Sequence, residues 1–340
     1  MVTYLLLLKG TNKDLASLEF EILFKTYYGE DIKLKQIRNT LFFFSTNKVL
    51  TRQEEFLKRL SFTNTVSKLL FKGKIEEYSK TLSSQVNPCM ESFALRIHSS
   101  FANSSVYKEK GLDYFAKAMW TVMKKPKIDL NDPQCVYHFH YDEEKNEILC
   151  SEEFFENSKD YLQRMPTQRP FCKPYTIKSD LARASVNMLG LKTGLICDPF
   201  CGTGAILLEA QSMGFEVVGN DISYKDLMGY RANSFHFFSG FPSLLTLSDS
   251  RELVFKEKSI GGLVTDIPYG KSSRKLGTEL YEQFLLNAKK YLKNGARLVV
   301  IYANFLEFEE LVKKHYKVLG QAEEYINKSM TRRIIVAENC

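Results

Sequence analysis

Asp198-Pro199-Phe200-Cys201-Gly202-Thr203-Gly204 follows the apolar run Leu195-Ile196-Cys197 and leads into Ala205-Ile206-Leu207-Leu208. A strand, a Gly-rich turn and a helix start in that order let the backbone approach a ligand closely, with the helix N-terminus facing an anionic group. In dinucleotide enzymes the turn reads G-x-G-x-x-G and holds pyrophosphate. Here the string opens with an acid instead. A carboxylate at a strand end repels pyrophosphate but suits a ligand ammonium, which leaves the helix terminus to a ligand carboxylate. Asp221 closes the next strand, where an acid accepts bonds from ribose hydroxyls. Asp249, in a Ser-rich turn after a third strand, is placed to accept a bond from an adenine amine.

Strands and helices alternate outward from this string. The sequence predicts helices at Ser179–Leu189, from Gly204 to before Gly214, and at Tyr224–Phe237, Glu279–Leu292 and Glu307–His315. Between them fall strands at Gly194–Cys197, Glu216–Gly219, Gly262–Thr265 and Arg297–Ala303, and a closing pair near 317–326 and 331–337. That alternation argues a mostly parallel, doubly wound α/β sheet. The polar, Pro-containing stretch 156–177 reads as a linker, and 178–340 as one domain. Upstream, residues 1–61 read as strand, helix, strand and helix in a small α+β domain, with strands at Val2–Lys9 and Thr40–Ser45. Residues 62–155 read as a second domain. It has alternating strands at Ser92–Ser99 and Cys135–His140, a helix with Leu112, Phe115, Met119 and Val122 on one face, and a turn at Asn131-Asp132-Pro133.

The second decisive string is Thr265-Asp266-Ile267-Pro268-Tyr269-Gly270, again at a strand end. An exocyclic amine on a planar base is a poor nucleophile because its lone pair is delocalised into the ring. Asp266 and the carbonyl of Ile267 or Pro268 can accept both N–H groups and localise that pair. Tyr269 offers a flat face and Pro268 stiffens the turn. This is catalysis by positioning and electrostatics, with no metal expected. A base in structured RNA has to be flipped out to reach such a pocket.

Composition narrows the classes further. With 340 residues, 44% hydrophobic and 26% charged, the chain is expected to form two or three soluble domains. No run reaches the length of a membrane helix, and Met1–Lys9 reads as a buried strand rather than a signal peptide. The seven Cys form no CxxC pair and, with the His residues, no metal array, which points to a reducing, cytoplasmic compartment. The net charge is +7. Residues 131–165 are acidic, nine against three, between basic segments, a distribution that suits a polyanion. Lys108, Lys110, Lys117, Lys124, Lys125 and Lys127 surround the Phe115 helix and are candidates for phosphate contact.

From Arg169-Pro170-Phe171 through Asp198–Gly204 to Asp266–Ser273, the chain resembles the THUMP-containing tRNA guanine-N2 methyltransferases, and most of all the archaeal group that modifies guanosine 10. The resemblance implies a Rossmann-like class I methyltransferase domain preceded by a ferredoxin-like domain and a THUMP RNA-binding domain. It implies S-adenosylmethionine as cofactor and methylation, once or twice, of a guanosine N2 amine in tRNA. It places the cofactor on Asp198, Pro199, Cys201, Gly202, Gly204, Asp221, Ile222 and Asp249, and the chemistry on Asp266, Pro268 and Tyr269. Some relatives use a small zinc-ribbon activator protein. Two departures stand out. Ile267 replaces the first Pro of the family's Asp-Pro-Pro-Tyr, which predicts a less rigid turn. Lys173-Pro174 stands where relatives show His-Pro. Lys271-Ser272-Ser273 favours the archaeal group. The same pocket serves guanine amines at other tRNA or rRNA positions, and adenine-N6 methylation of DNA shares its chemistry. A non-catalytic RNA-binding protein is the reading that Ile267 motivates.

Overall fold

The computed structural model describes residues 1–10, 12–85, 92–122, 127–240, 244–252, 255–269 and 279–340. The chain divides into two compact units. The first comprises Met1–Gly10, Ile32–Leu57 and Thr63–Asn157, and the second Thr11–Asp31, Lys58–Phe62 and Ser158–Cys340. Residues 1–61, read from sequence as one domain, are therefore shared between the two.

The first unit is built on eight strands: β1 (Val2–Leu8), β2 (Lys35–Arg38), β3 (Leu41–Thr46), β4 (Thr63–Gly73), β5 (Ser92–Ile97), β6 (Lys127–Ile128), β7 (Cys135–Asp142) and β8 (Glu147–Glu156). They form one sheet in the order β2-β3-β1-β4-β8-β7-β5-β6. β4 was not legible as a strand from sequence, yet it makes the sheet continuous by pairing antiparallel with both β1 and β8. Of the helices, α1 (Lys13–Tyr28) belongs to the second unit, α2 (Glu55–Arg59) is shared between the two, and α3 (Ile75–Gln85), α4 (Ser99–Ala102) and α5 (Ser105–Val122) belong to this unit. Phe101, Phe115 and Met119 are packed against Tyr137, Phe139 and Tyr141, the alternate residues of β7. Leu112, expected on the same face, is exposed because Gly111 (φ 71°) breaks the helix just before it.

In the second unit, helix α1 (Lys13–Tyr28) and α6 (Ser179–Asn187) flank a buried polar knot. Glu19 accepts bonds from the Ser61 amide and hydroxyl, the Phe62 amide and the Asn187 side chain. Seven strands follow: β9 (Leu195–Asp198), β10 (Glu216–Asp221), β11 (Leu244–Leu247), β12 (Ile260–Asp266), β13 (Leu292–Ala303), β14 (Lys317–Asn327) and β15 (Met330–Glu338). Their order is β11-β10-β9-β12-β13-β15-β14. The first five are parallel, and β15 is antiparallel to β13 and β14. Helices α7 (Ala205–Ser212), α8 (Tyr224–Phe238), α9 (Glu279–Tyr291) and α10 (Phe308–His315) alternate with them. The doubly wound α/β class expected from sequence is present. The strand order reverses between β9 and β12, and ligands of such sheets sit in the crevice at that reversal.

The stretch read as a linker is ordered and belongs to this unit from Ser158 onward. Its Arg164 grips the fully buried Glu209 of α7 with two bonds of 2.9 Å, and Arg183 approaches the same carboxylate at 3.5 Å. Arg169 donates to the Arg164 carbonyl and to Ser179 Oγ. Removing a buried charge's partner leaves that charge uncompensated, at a cost of about 3–5 kcal/mol. Glu209→Ala is accordingly expected to lower stability by about that amount. Urea unfolding checks this, and an unchanged midpoint contradicts it.

Candidate active site

Four acids end or follow the first four parallel strands of the second unit: Asp198 on β9, Asp221 on β10, Asp249 after β11 and Asp266 on β12. All four line one cavity of about 840 Å³. Pro199, Cys201, Gly202, Ile222, Pro268 and Tyr269 line it as well. Gly204 does not. Its backbone (φ 84°) turns the chain into α7, and a Cβ there would meet the Tyr230 ring at 2.0 Å. Gly270 and Lys271-Ser272-Ser273 lie outside the described residues, as do Lys124 and Lys125.

The loop after β9 is held from within. The Cys201 amide donates to the Asn220 carbonyl, the Gly202 amide to Asp221 Oδ2, and the Gly204 amide to the Cys201 carbonyl. Asn220 is fully buried. Its Nδ2 donates to the carbonyls of Pro199 and Ser248, and its Oδ1 accepts from the hydroxyls of Thr246 and Ser248. Sequence reading passed over Asn220 because it sits next to the more conspicuous Asp221.

The acids differ in their surroundings. Asp198 is buried, accepts from Thr265 Oγ1 at 2.6 Å and from the Phe200 amide, and is pushed up to about 8 by burial. Asp221 receives the amides of Gly202 and Ser223, and burial raises it too. Asp249, expected to face an adenine amine, lines the cavity and is gripped by Arg251 at 2.6 and 3.0 Å, which holds its carboxyl low.

Asp266 stands apart. It is half-buried in the cavity wall, and burial pushes it up to about 7. Its Oδ2 is 3.4 Å from the Tyr269 hydroxyl, while its buried Oδ1 has no hydrogen-bond partner among the described residues. Arg332 Nε donates to the Tyr269 oxygen at 2.9 Å, and Arg332 is itself held by Glu324 at 3.2 Å. Both residues come from the β14–β15 hairpin, far away in sequence, and nothing local to the Asp266 string announces them. The Pro268 carbonyl accepts from the Tyr281 hydroxyl at 2.8 Å, and Ile267 lines the same cavity beside it.

Ile267 itself is not a weak point. Its amide donates to the Ile301 carbonyl, a bond that Pro cannot make, and its side chain is in the core with Leu280 and Tyr281. Lys173 lines the cavity and forms an ion pair with Asp226 at 2.5 Å.

The family description "RMKL-like, methyltransferase domain" matches residues 166–334. A probable tRNA (guanine(10)-N2)-dimethyltransferase of Methanothermococcus thermolithotrophicus is 31% identical over 163 residues, 46% of this chain and 96% of that one. The chain belongs to the family of these methyltransferases. A second family member, the tRNA (guanine(10)-N2)-dimethyltransferase of Methanothermobacter thermautotrophicus, is 37% identical over 187 residues, which are 53% of this chain. The match spans 55% of that relative's length. The family fold extends to the crystal structure of TrmN from Thermus thermophilus. That structure has a TM-score of 0.56 at 18% identity and covers 99% of this chain and 100% of its own.

Because Gly204 combines a left-handed backbone with the close approach of Tyr230, Gly204→Ala is expected to destabilise the chain by at least about 1–3 kcal/mol. A thermal-shift assay checks this against Gly214→Ala. Gly214 has a similar φ of 82°, but open space surrounds its Cβ position. Equal losses in the two variants would show that the Tyr230 contact contributes nothing.

Proposed function

We propose that the chain methylates the exocyclic N2 amine of a guanosine in tRNA, guanosine 10 by likeness to its relatives, with S-adenosylmethionine as methyl donor. The observation that carries this reading is the unpartnered Oδ1 of Asp266 in the wall of an acid-rimmed cavity. Asp198, raised by burial and by the charges of Asp221 and Asp266, is best relieved by a cation, and the donor brings both an ammonium and a sulfonium. The Gly202 turn and the start of α7 suit its carboxylate, Asp221 suits its ribose, and the exposed Ile222 offers an apolar surface for its adenine. When bound, the donor supplies an electrophilic methyl carbon.

The chain's own residues then act on the base. Asp266 accepts one N–H of the amine and the Ile267 carbonyl the other, which localises the nitrogen lone pair. The ionised Asp266 is also the group that receives the proton the amine gives up on methylation. Tyr269, fixed by Arg332, holds the base plane. These are contributions of positioning and preorganised electrostatics.

In this reading the first unit is the THUMP-containing RNA-binding part. Exposed Lys108, Lys110, Lys117 and Lys127 are available to phosphate, and such contacts position the RNA rather than select its sequence. A small zinc-ribbon activator is a possible second partner, and the exposed Leu244 and Leu247 on edge strand β11 support it. No helix among the described residues is long and apolar enough to cross a membrane, and a cytoplasmic location accords with a tRNA substrate.

Unmodified tRNA incubated with labelled S-adenosylmethionine is expected to yield N2-methylguanosine or N2,N2-dimethylguanosine by nucleoside mass spectrometry. Asp266→Ala is expected to reduce the rate at least about a hundredfold, as loss of one preorganised acceptor does. Methylation at another atom, or full activity in the variant, overturns the assignment. The ionised form of Asp266 is the active one and its pKa is raised to about 7, so kcat/KM should rise with pH and level off above about 7. A profile that is flat from pH 5 to 8 contradicts this role.

A further inference from the structure

The first unit contains a group of side chains that the methyltransferase chemistry does not use. His138 and His140 lie two residues apart on β7 and project from the same face, opposite the Phe139 core. β5 runs parallel to β7 with Ile97 beside Phe139, so the next residue, His98, falls beside His140. The His98 and His140 rings stack at 3.9 Å, and His98 Nε2 is 2.8 Å from His138 Nδ1. One ring nitrogen from each of the three histidines lies within 4.8 Å of the others.

We propose that His98, His138 and His140 form a binding site for a divalent transition-metal ion, with Zn²⁺ the best match to the ligands. Three imidazoles are a known zinc ligand set and leave a fourth position for water or another donor. At Zn–N distances of about 2.0–2.1 Å, ligand nitrogens around a tetrahedral ion stand about 3.3 Å apart. The ring nitrogens, within 4.8 Å of one another and 2.8 Å apart for His98 and His138, bracket that spacing. The surrounding groups fit as well. His138 Nε2 is 2.7 Å from Glu153 Oε2. A carboxylate on one ring nitrogen fixes the tautomer and frees the other nitrogen, here the Nδ1 that faces His98, for a metal. His138 and His140 are buried while His98 is half-exposed, which gives an ion a path in.

From sequence these histidines, in two strands 40 residues apart, read as forming no metal array. The parallel pairing of β5 with β7 brings them together.

The test is Zn²⁺ binding to the full chain by equilibrium dialysis with elemental analysis, and Co²⁺ substitution followed by visible absorption. The wild type should take up one Zn²⁺ and give tetrahedral Co²⁺ bands. His98→Ala, at the half-exposed position and checked for fold by circular dichroism, should weaken binding at least about a hundredfold. Glu153→Gln should weaken it at least about tenfold, the size of effect seen when the partner of a ligating histidine is removed. His236→Ala, on the exposed side of α8, should change nothing. The site is overturned if the wild type binds no Zn²⁺, or if His98→Ala binds it as tightly as the wild type does. Neither result bears on methyl transfer, which the cavity in the other unit is proposed to carry out.

Discussion

Asn220 engages every donor and acceptor of its side-chain amide in tying together the ends of three parallel strands. The Pro199 carbonyl follows β9, Asn220 itself is in β10, and Thr246 and Ser248 belong to or follow β11. Because the amide is buried, each of these bonds would cost more to break than it contributes by forming. The loop after β9 is thereby fixed to its neighbours before any ligand arrives. Asp198, Gly202 and Asp221 hold their places because Asn220 holds the backbone between them.

With the loop fixed, the electrostatics of the site follow from topology. Parallel strands all present their carboxyl ends on one side, so an acid at or after each of four strand ends yields four carboxylates around one cavity. They do not behave alike. Asp249 has an arginine and is held low, Asp221 has two amides, and Asp198 has a hydroxyl and an amide but is buried. Asp266 has only a long contact to the Tyr269 hydroxyl and one oxygen without a partner. That unfilled acceptor is where a donor from outside the chain gains most, because a buried polar atom without a partner carries a penalty until it finds one.

The doubly wound half was legible where its elements carry a local signal. Strands β9, β10 and β12 are short apolar runs that end in an acid, and α7 lies between Gly204 and Gly214. The site was legible where its residues are contiguous, as in Asp198–Gly202 and Asp266–Tyr269. What escaped is non-local. Arg332 and Glu324 reach Tyr269 only through a hairpin more than fifty residues downstream, and Asn220 acts through carbonyls that no sequence pattern reveals. Ile267 looked like a lost constraint because rigidity was attributed to Pro. In the fold Ile267 is held by an amide bonded to Ile301 and a side chain in the core. β4 went unread because its pattern of Thr, Asn, Ser and Lys is that of a strand lying between others in a mixed sheet, not a simple two-faced alternation. The polar stretch after β8 looked like a linker because charge was read as solvation, whereas Arg164 and Arg169 turn inward to buried partners.

The proposed pairing of Asp266 with an exocyclic amine is tested most directly by removing the amine and nothing else. Single-turnover methyl transfer would be measured on unmodified tRNA carrying inosine at position 10, a base that keeps the ring system of guanine but lacks its N2 group. The proposed mechanism predicts that this tRNA takes up no methyl group at that residue while its guanosine counterpart does. Methyl incorporation at inosine 10 at a rate comparable to guanosine would contradict it, since the accepting atom would then lie elsewhere on the base or ribose.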